Sequence, residues 1–218
     1  MPSPTLRIGV VPVTPFEQNC SILRCERTGK GAVVDPGGDI DRIVDGLRQM
    51  EIELKKILIT HGHIDHAGAT RALADRFGVP IEGPHRDDLF LISALPDHGR
   101  MFGLDSAQSF EPDRWLEDGD AVTVGEHVFE VRHCPGHTPG HVVFYSPEAG
   151  VAIVGDVLFD GSIGRTDLPR GNHAQLMQSI HDKLLSLDDQ TGFVPGHGPT
   201  STIGRQRRMN PFLVGEFA

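Results

Sequence analysis

The densest chemistry in the chain lies in Thr60-His61-Gly62-His63-Ile64-Asp65-His66, which sets three imidazoles and a carboxylate close together. His61 and His63 are two apart. An extended backbone points them the same way, whereas a helix would set them about 200° apart. Asp65 and His66 are adjacent and diverge unless the chain turns between them. A loop that turns at the mouth of a helix can aim the first pair at one ion and the second at another. Ala67-Gly68-Ala69 follows at once and is small enough for a helix to start beside the site. These are nitrogen and oxygen donors, the kind a divalent cation takes.

Three further donors stand far off in sequence. His137 lies in Cys134-Pro135-Gly136-His137-Thr138-Pro139-Gly140-His141, Asp156 closes Ala152-Ile153-Val154-Gly155-Asp156, and His197 lies in Val194-Pro195-Gly196-His197-Gly198-Pro199. Each falls at or just after the end of a strand candidate, flanked by Gly or Pro. Sheets present rigid ligands from such loops. A histidine-rich surface loop is the plain alternative for residues 61–66, but it leaves the three remote donors unexplained. Of the other histidines, His85, His98, His127, His133, His173 and His181 read as surface residues. His141 reads either as a binding group or as a neighbour that holds His137. Cys134 reads as a small buried apolar residue.

Behind these loops the chain alternates strands and helices. Leu6–Val13, Cys20–Cys25 and Gly31–Val34 read as short strands, and Asp35-Pro36-Gly37-Gly38 breaks the chain sharply. Asp39 is placed to cap a helix whose Ile40, Ile43, Val44 and Leu47 form one apolar stripe. Lys56–Thr60 reads as a buried strand delivering into the first donor cluster, and a helix follows from about Ala67 to Phe77. Residues 83–116 are irregular, with a helix near Arg86–Leu95. They read as a packed surface excursion, although Met101-Phe102 could line a cleft. Strands follow at Ala121–Val124, His127–His133, His141–Ser146 and Val151–Val154. Then comes a helix capped by Asn172 with Leu176, Ile180, Leu184 and Leu187 inward. A short strand at Phe193–Val194 and a basic helix at Ile203–Met209 close the chain.

The 218 residues fit a single α/β domain spanning 1–218, with helices outside packed sheets. A formal charge of −10 excludes a general basic surface for nucleic acid, and no apolar run approaches the length that crosses a bilayer. Three cysteines without a CxxC pair, and an N-terminus unlike a signal peptide, point to the cytoplasm.

Together, THGHIDH, HTPGH, VGD and PGH, in this order, resemble the metallo-β-lactamase superfamily. VPVTPFEQNCSI, VDPGG, GRTDLPRGNH and the final NPF resemble its short glyoxalase-II-type hydrolases. The resemblance implies a four-layer αβ/βα sandwich with a metal site at one edge. It implies that His61, His63 and His137 bind one metal, that Asp65, His66 and His197 bind a second, and that Asp156 bridges both. Zinc is the first expectation, with iron or manganese compatible. Two close ions make a shared water acidic enough to attack a carbonyl near neutral pH, with Asp65 and His66 at the reacting centre. A thiolate leaves without a strong acid, so a thioester suits such a site. The resemblance makes it S-D-lactoylglutathione or a related 2-hydroxyacyl-glutathione, cleaved to glutathione and a hydroxy acid in methylglyoxal detoxification.

The sequence departs from the longer glyoxalase II enzymes, which add a C-terminal helical domain that supplies basic residues to glutathione. Only 21 residues follow His197. The substrate contacts then fall to Arg165 in GRTD and to Arg207 or Arg208 in the tail, although a structural salt bridge accounts for Arg165 equally well. The tyrosine those enzymes carry after the last histidine is Gly198-Pro199 here. A persulfide dioxygenase with one iron is the alternative enzyme; that group usually carries Ala and Cys where this chain has Ile64 and His141, which favours the hydrolase. β-Lactamase and tRNA-processing readings are weaker, for want of an export signal and of basic charge. A catalytically silent metal-binding module is the alternative of a different class.

Overall fold

The computed structural model describes residues 5–215. Its first half builds a five-stranded sheet from β1 (Leu6–Val13), β2 (Gln18–Cys25), β3 (Lys30–Val34), β4 (Glu53–Leu58) and β5 (Ile81–Glu82), in that spatial order. β1, β2 and β3 are antiparallel neighbours, and β3, β4 and β5 run parallel. Between and after them lie α1 (Ile40–Gln49), α2 (Ile64–Ala67), α3 (Thr70–Phe77), α4 (Leu89–Ser93) and α5 (Leu95–Phe102).

The second half builds a six-stranded sheet from β6 (Ala121–Val124), β7 (His127–His133), β8 (Val142–Ser146), β9 (Val151–Gly155), β12 (Gly192–Pro195) and β13 (Ser201–Thr202). The spatial order is β13-β12-β9-β8-β7-β6, with only β12 and β9 parallel. A small hairpin, β10 (Leu158–Phe159) with β11 (Ser162–Ile163), precedes α6 (His173–Ser179). A π turn over Ile180–Leu184 extends α6, and α7 (Ile203–Met209) follows β13.

The layering follows from strand periodicity, since alternate side chains point to opposite faces. In the first sheet Ile22, Val33 and Ile57 pack with Ile43 and Leu47 of α1 and Leu73 of α3. Their neighbours Leu23, Val34 and Leu58 point the other way, onto Phe129, Phe144, Ile153 and Val194 of the second sheet. The outer face of that sheet, with Val143, Val154 and Phe193, packs on Leu176, Ile180 and Ile203. Helices, sheet, sheet and helices therefore stack in four layers around three apolar seams.

Three local expectations need correcting. Asp39 sits at the N-terminus of α1 at φ 46°, but its side chain does not cap the helix; it accepts the Thr14 amide at 2.8 Å instead. The helix expected from Ala67 to Phe77 is two pieces, because the Ala69 amide leaves the helical pattern to reach the Pro36 carbonyl at 2.9 Å. This presses α2 onto the Asp35–Gly38 turn so closely that a Cβ on Gly37 would lie 1.5 Å from the Asp65 carbonyl. His127 is fully buried rather than on the surface. It shares strand parity with Phe129 and Val131, a period-two signal visible in HVFEV. By contrast Asn172 caps α6 as expected, its side chain accepting the Gln175 amide at 3.0 Å.

Candidate metal centre

All seven donors singled out in the sequence meet at one end of the two sheets. β4 delivers His61, the loop after β7 delivers His137, β9 ends into Asp156 and β12 ends into His197. His63 Nδ1 lies 3.1 Å from His61 Nε2 and 3.0 Å from His137 Nε2. His197 Nε2 lies 3.2 Å from Asp65 Oδ2, and His66 Nε2 lies 3.8 Å from the same oxygen. Asp156 stands between the two groups. Its Oδ1 is 3.4 Å from His66 Nε2, while its Oδ2 is 3.6 Å from His137 Nε2 and 3.7 Å from His197 Nε2. Gly196 allows this crowding, since a Cβ there would sit 2.1 Å from Asp156 Oδ1.

The proton inventory favours cations at both groups. His137 Nδ1 donates to the Arg165 carbonyl at 2.7 Å, His197 Nδ1 to the Phe16 carbonyl at 3.1 Å and His66 Nδ1 to Asp35 at 2.9 Å. Thr60 gives its hydroxyl proton to Asp35 at 2.6 Å, so the His61 Nδ1–H donates to the Thr60 oxygen at 3.1 Å. In each of these rings Nδ1 is tied outward and Nε2 is left to face the centre, the arrangement that orients metal-binding histidines. His66 Nε2 and Asp156 Oδ1 are buried without a hydrogen-bond partner. Buried polar atoms rarely stay orphaned, and a bound ion answers both.

The two groups differ electrically. Burial, reinforced by neighbouring imidazoles, pushes His61 well below the ordinary histidine range and His63 down to about 3. Burial would lower His66 too, but Asp156 and Asp65 outweigh it and hold that ring well above its usual range. Burial opposes ionisation of Asp156 and Asp65, yet His66 and the other imidazoles keep both carboxyls below the ordinary range. One group thus offers neutral nitrogens, and the other demands positive charge.

A second tier of residues, not recognised as such in the sequence, holds this arrangement. The buried Asp35 carboxylate accepts from His66, the Thr60 hydroxyl and, at 2.7 Å, the Thr60 amide. The buried Asp88 accepts the Gly62 amide at 2.9 Å, the Thr138 hydroxyl at 2.8 Å and the Gly140 amide at 2.6 Å, so it ties the loop of residues 61–66 to the loop of residues 134–141. Burial raises its carboxyl to about 6. His141 stacks on His61 with ring centres 4.6 Å apart, and its Nε2 accepts the Asp156 amide at 3.0 Å. It steadies those two residues; its nitrogens do not hold His137. Asp35 ends an apolar strand just before a proline, a faint signal. Asp88 sits among charged residues and gives none.

A cleft of about 710 Å³ opens over the centre, with His63, Asp65, His137, Asp156 and His197 at its floor. Its walls are chiefly carbon, including Phe16, Phe90, Met101, Phe102, Phe159 and Leu168. Within residues 89–102, Phe90, Leu91, Ala94, His98, Met101 and Phe102 therefore form cleft wall rather than a surface excursion, while Ile92 and Leu95 pack into the core. Arg165 lies at the rim, its exposed side chain paired with Asp167 through two contacts of 2.7 Å. Arg207 and Arg208 do not line the cleft. The Arg207 guanidinium donates to the Leu185 and Leu187 carbonyls at 2.6 and 3.0 Å, and Arg208 pairs with Asp189 at 2.8 Å. His85 and His133 are half-buried and stacked 4.2 Å apart, whereas His173 and His181 are exposed as expected. Cys134 is buried, and burial lifts its thiol to about 12.

Comparison with known proteins agrees with this geometry. Hydroxyacylglutathione hydrolase GloC of Haemophilus influenzae is 44% identical over 209 residues, covering 95% of this chain and 98% of its own length. The crystal structure of BLEG-1 B3 metallo-beta-lactamase is similar at TM-score 0.88 and 36% identity, covering 96% of this chain and 100% of that one. TTHA1623, solved in a di-iron-bound form, is similar at TM-score 0.85 and 36% identity, covering 94% and 100%. Residues 13–204 match the Metallo-beta-lactamase superfamily, and the chain belongs to that family.

Proposed function

We propose that this metallo-hydrolase cleaves thioesters of glutathione, with S-D-lactoylglutathione or a related 2-hydroxyacyl conjugate as substrate. The observation that carries the reading is the convergence of seven donors, in two groups with Asp156 between them, at and just beneath the floor of an open cleft. The 44% identity to GloC supports the substrate class. His61, His63 and His137 would hold one divalent ion and Asp65, His66 and His197 a second, with the Asp156 carboxylate placed between the two groups. Zinc is the first choice, and the di-iron form of TTHA1623 keeps iron open. Two such ions, when bound, supply Lewis acidity toward a carbonyl and an acidified water.

The chain's own residues do the rest. Asp35 and Thr60 engage Nδ1 of His66 and His61, so both rings aim Nε2 at the centre without rearrangement. Asp65 and Asp156 stay ionised, so neither donates a proton to the leaving group. A thiolate leaves as the anion and needs none. The largely carbon walls flank the centre with apolar surface. Arg165 offers a cation at the rim to a glutathione carboxylate.

The test pairs two assays on the metal-loaded protein. Thiol release from S-D-lactoylglutathione without oxygen uptake on glutathione persulfide is the expected result. Oxygen uptake without thioester cleavage makes the protein a dioxygenase, and neither activity overturns the enzymatic reading in favour of a silent metal-binding module. β-Lactam hydrolysis is the second hydrolytic reading, favoured by the likeness to BLEG-1, and a chromogenic cephalosporin belongs in the same panel.

A further inference from the structure

We infer that the preferred substrate carries an apolar acyl group, seated against Phe16, Met101 and Phe102. The inference rests on the thioester reading above and takes its acyl group beyond lactoyl. The two ends of the donor cluster open onto different walls. At one end His137 Nδ1 is bonded to the Arg165 carbonyl, and Arg165 is the only Arg or Lys among the described residues that line the cleft. At the other end His197 Nδ1 is bonded to the Phe16 carbonyl, and the Phe159 ring faces His197 at 6.3 Å. There the Phe16 and Phe102 rings meet edge to face, 5.6 Å apart, with Met101 next along α5.

These side chains leave much of their surface to water: Phe16 is 41% exposed, Phe102 46% and Met101 72%. None belongs to the three core seams, so packing of the fold does not call for them. Single exposed apolar residues are ordinary, but three that share a cavity beside the reacting groups form a binding wall. A glutathione thioester has two arms. The tripeptide arm carries charged groups that lose hydration without return against phenylalanine, so it turns toward Arg165. The acyl arm takes the aromatic wall. A lactoyl group offers that wall one methyl, whereas a longer chain or a ring covers it.

Each methylene that becomes buried there is worth up to roughly fourfold in kcat/KM. The experiment compares S-acetyl-, S-butanoyl- and S-hexanoyl-glutathione on the metal-loaded enzyme. The expected result is a rise of about tenfold or more from acetyl to hexanoyl, with Met101→Ser and Phe102→Ser each lowering the hexanoyl-to-acetyl ratio. A flat or falling series overturns the inference, and so does a rising series whose ratio neither variant changes. Calorimetry with S-hexyl- and S-methyl-glutathione, thioethers that are not cleaved, separates the two readings. Tighter hexyl binding without hydrolysis of any thioester sinks the hydrolase and keeps the apolar subsite. Equal binding of the two thioethers sinks the subsite.

Discussion

The floor of the cleft and its wall are built on opposite principles. On the floor, Asp35, Asp88, His141 and Thr60 each hold a donor or the backbone beside one, and Asp35 and Asp88 accept three hydrogen bonds apiece. On the wall, Phe16 and Phe102 meet edge to face, Met101 is largely exposed, and none of the three belongs to a core seam. A rigid floor fixes where charge is placed, which is what catalysis by prepared electrostatics needs. A loosely held wall changes at small cost to stability, so a family can keep one reaction and vary what it accepts.

Substitutions can break this contrast, beginning with the most severe. Asp156→Ala removes the carboxylate shared by both donor groups; a loss of roughly a thousandfold or more in kcat/KM, with lower metal content by elemental analysis, is expected. Near-normal metal content and rate would show the floor to be redundant there. Asp35→Ala frees the far nitrogen of His66 and the Thr60 hydroxyl, and a loss of about 10- to 100-fold in metal affinity by competitive chelation should follow.

Asp88→Asn leaves a buried N–H facing another donor, costing roughly 1–3 kcal/mol in denaturant unfolding. A pH signature accompanies it. The Asp88 carboxyl is raised from about 4 to about 6 on folding, so the folded state holds this proton more tightly than the unfolded chain. Its contribution to stability is full below about 4 and is lost as pH rises through about 6. The stability gap between wild type and the Asp88→Asn variant should therefore be wider at pH 5 than at pH 7.5, and a constant gap would refute the assignment.

At the rim, Arg165→Met is expected to raise KM for glutathione thioesters about three- to tenfold while kcat holds, because the contact is made before and during reaction alike. Arg207→Ala is the mildest change. Loss of its carbonyl contacts lowers stability by about 1 kcal/mol in denaturant unfolding, and KM is unaffected. A changed KM there would extend the substrate site to a residue that lies outside the cleft.

What could be read from the sequence follows the range of the interactions. The seven donors were legible because four cluster in one short segment, residues 61–66, and the other three fall at or just after strand ends beside Gly or Pro, signals that are local in sequence. Strand and helix periodicity made legible one α/β domain with helices outside packed sheets, and the resemblance of the motifs supplied the four-layer arrangement. Asp35 and Asp88 were not, because what they do joins segments 25 to 52 residues apart and leaves no local pattern. His127 was misread as a surface residue although its strand parity with Phe129 placed it inside. The break between α2 and α3 depends on the Pro36 carbonyl, a contact that no propensity encodes. Of the wall in residues 89–102 only Met101-Phe102 was legible as candidate lining, because short helices with mixed faces look alike whether they cover a core or border a cavity.

The split of the seven donors between the two halves has a consequence for biosynthesis. His61, His63, Asp65 and His66 belong to the first sheet and its loops, while His137, Asp156 and His197 hang from the second. Domains form from the N-terminus as the chain emerges from the ribosome. A nascent first half thus exposes four donors before their complement exists. The three-imidazole group is closed only by residue 137, and the carboxylate group only by residue 197. Under the proposed ligand sets, therefore, neither donor group is complete until the second half of the chain has emerged and packed on the first.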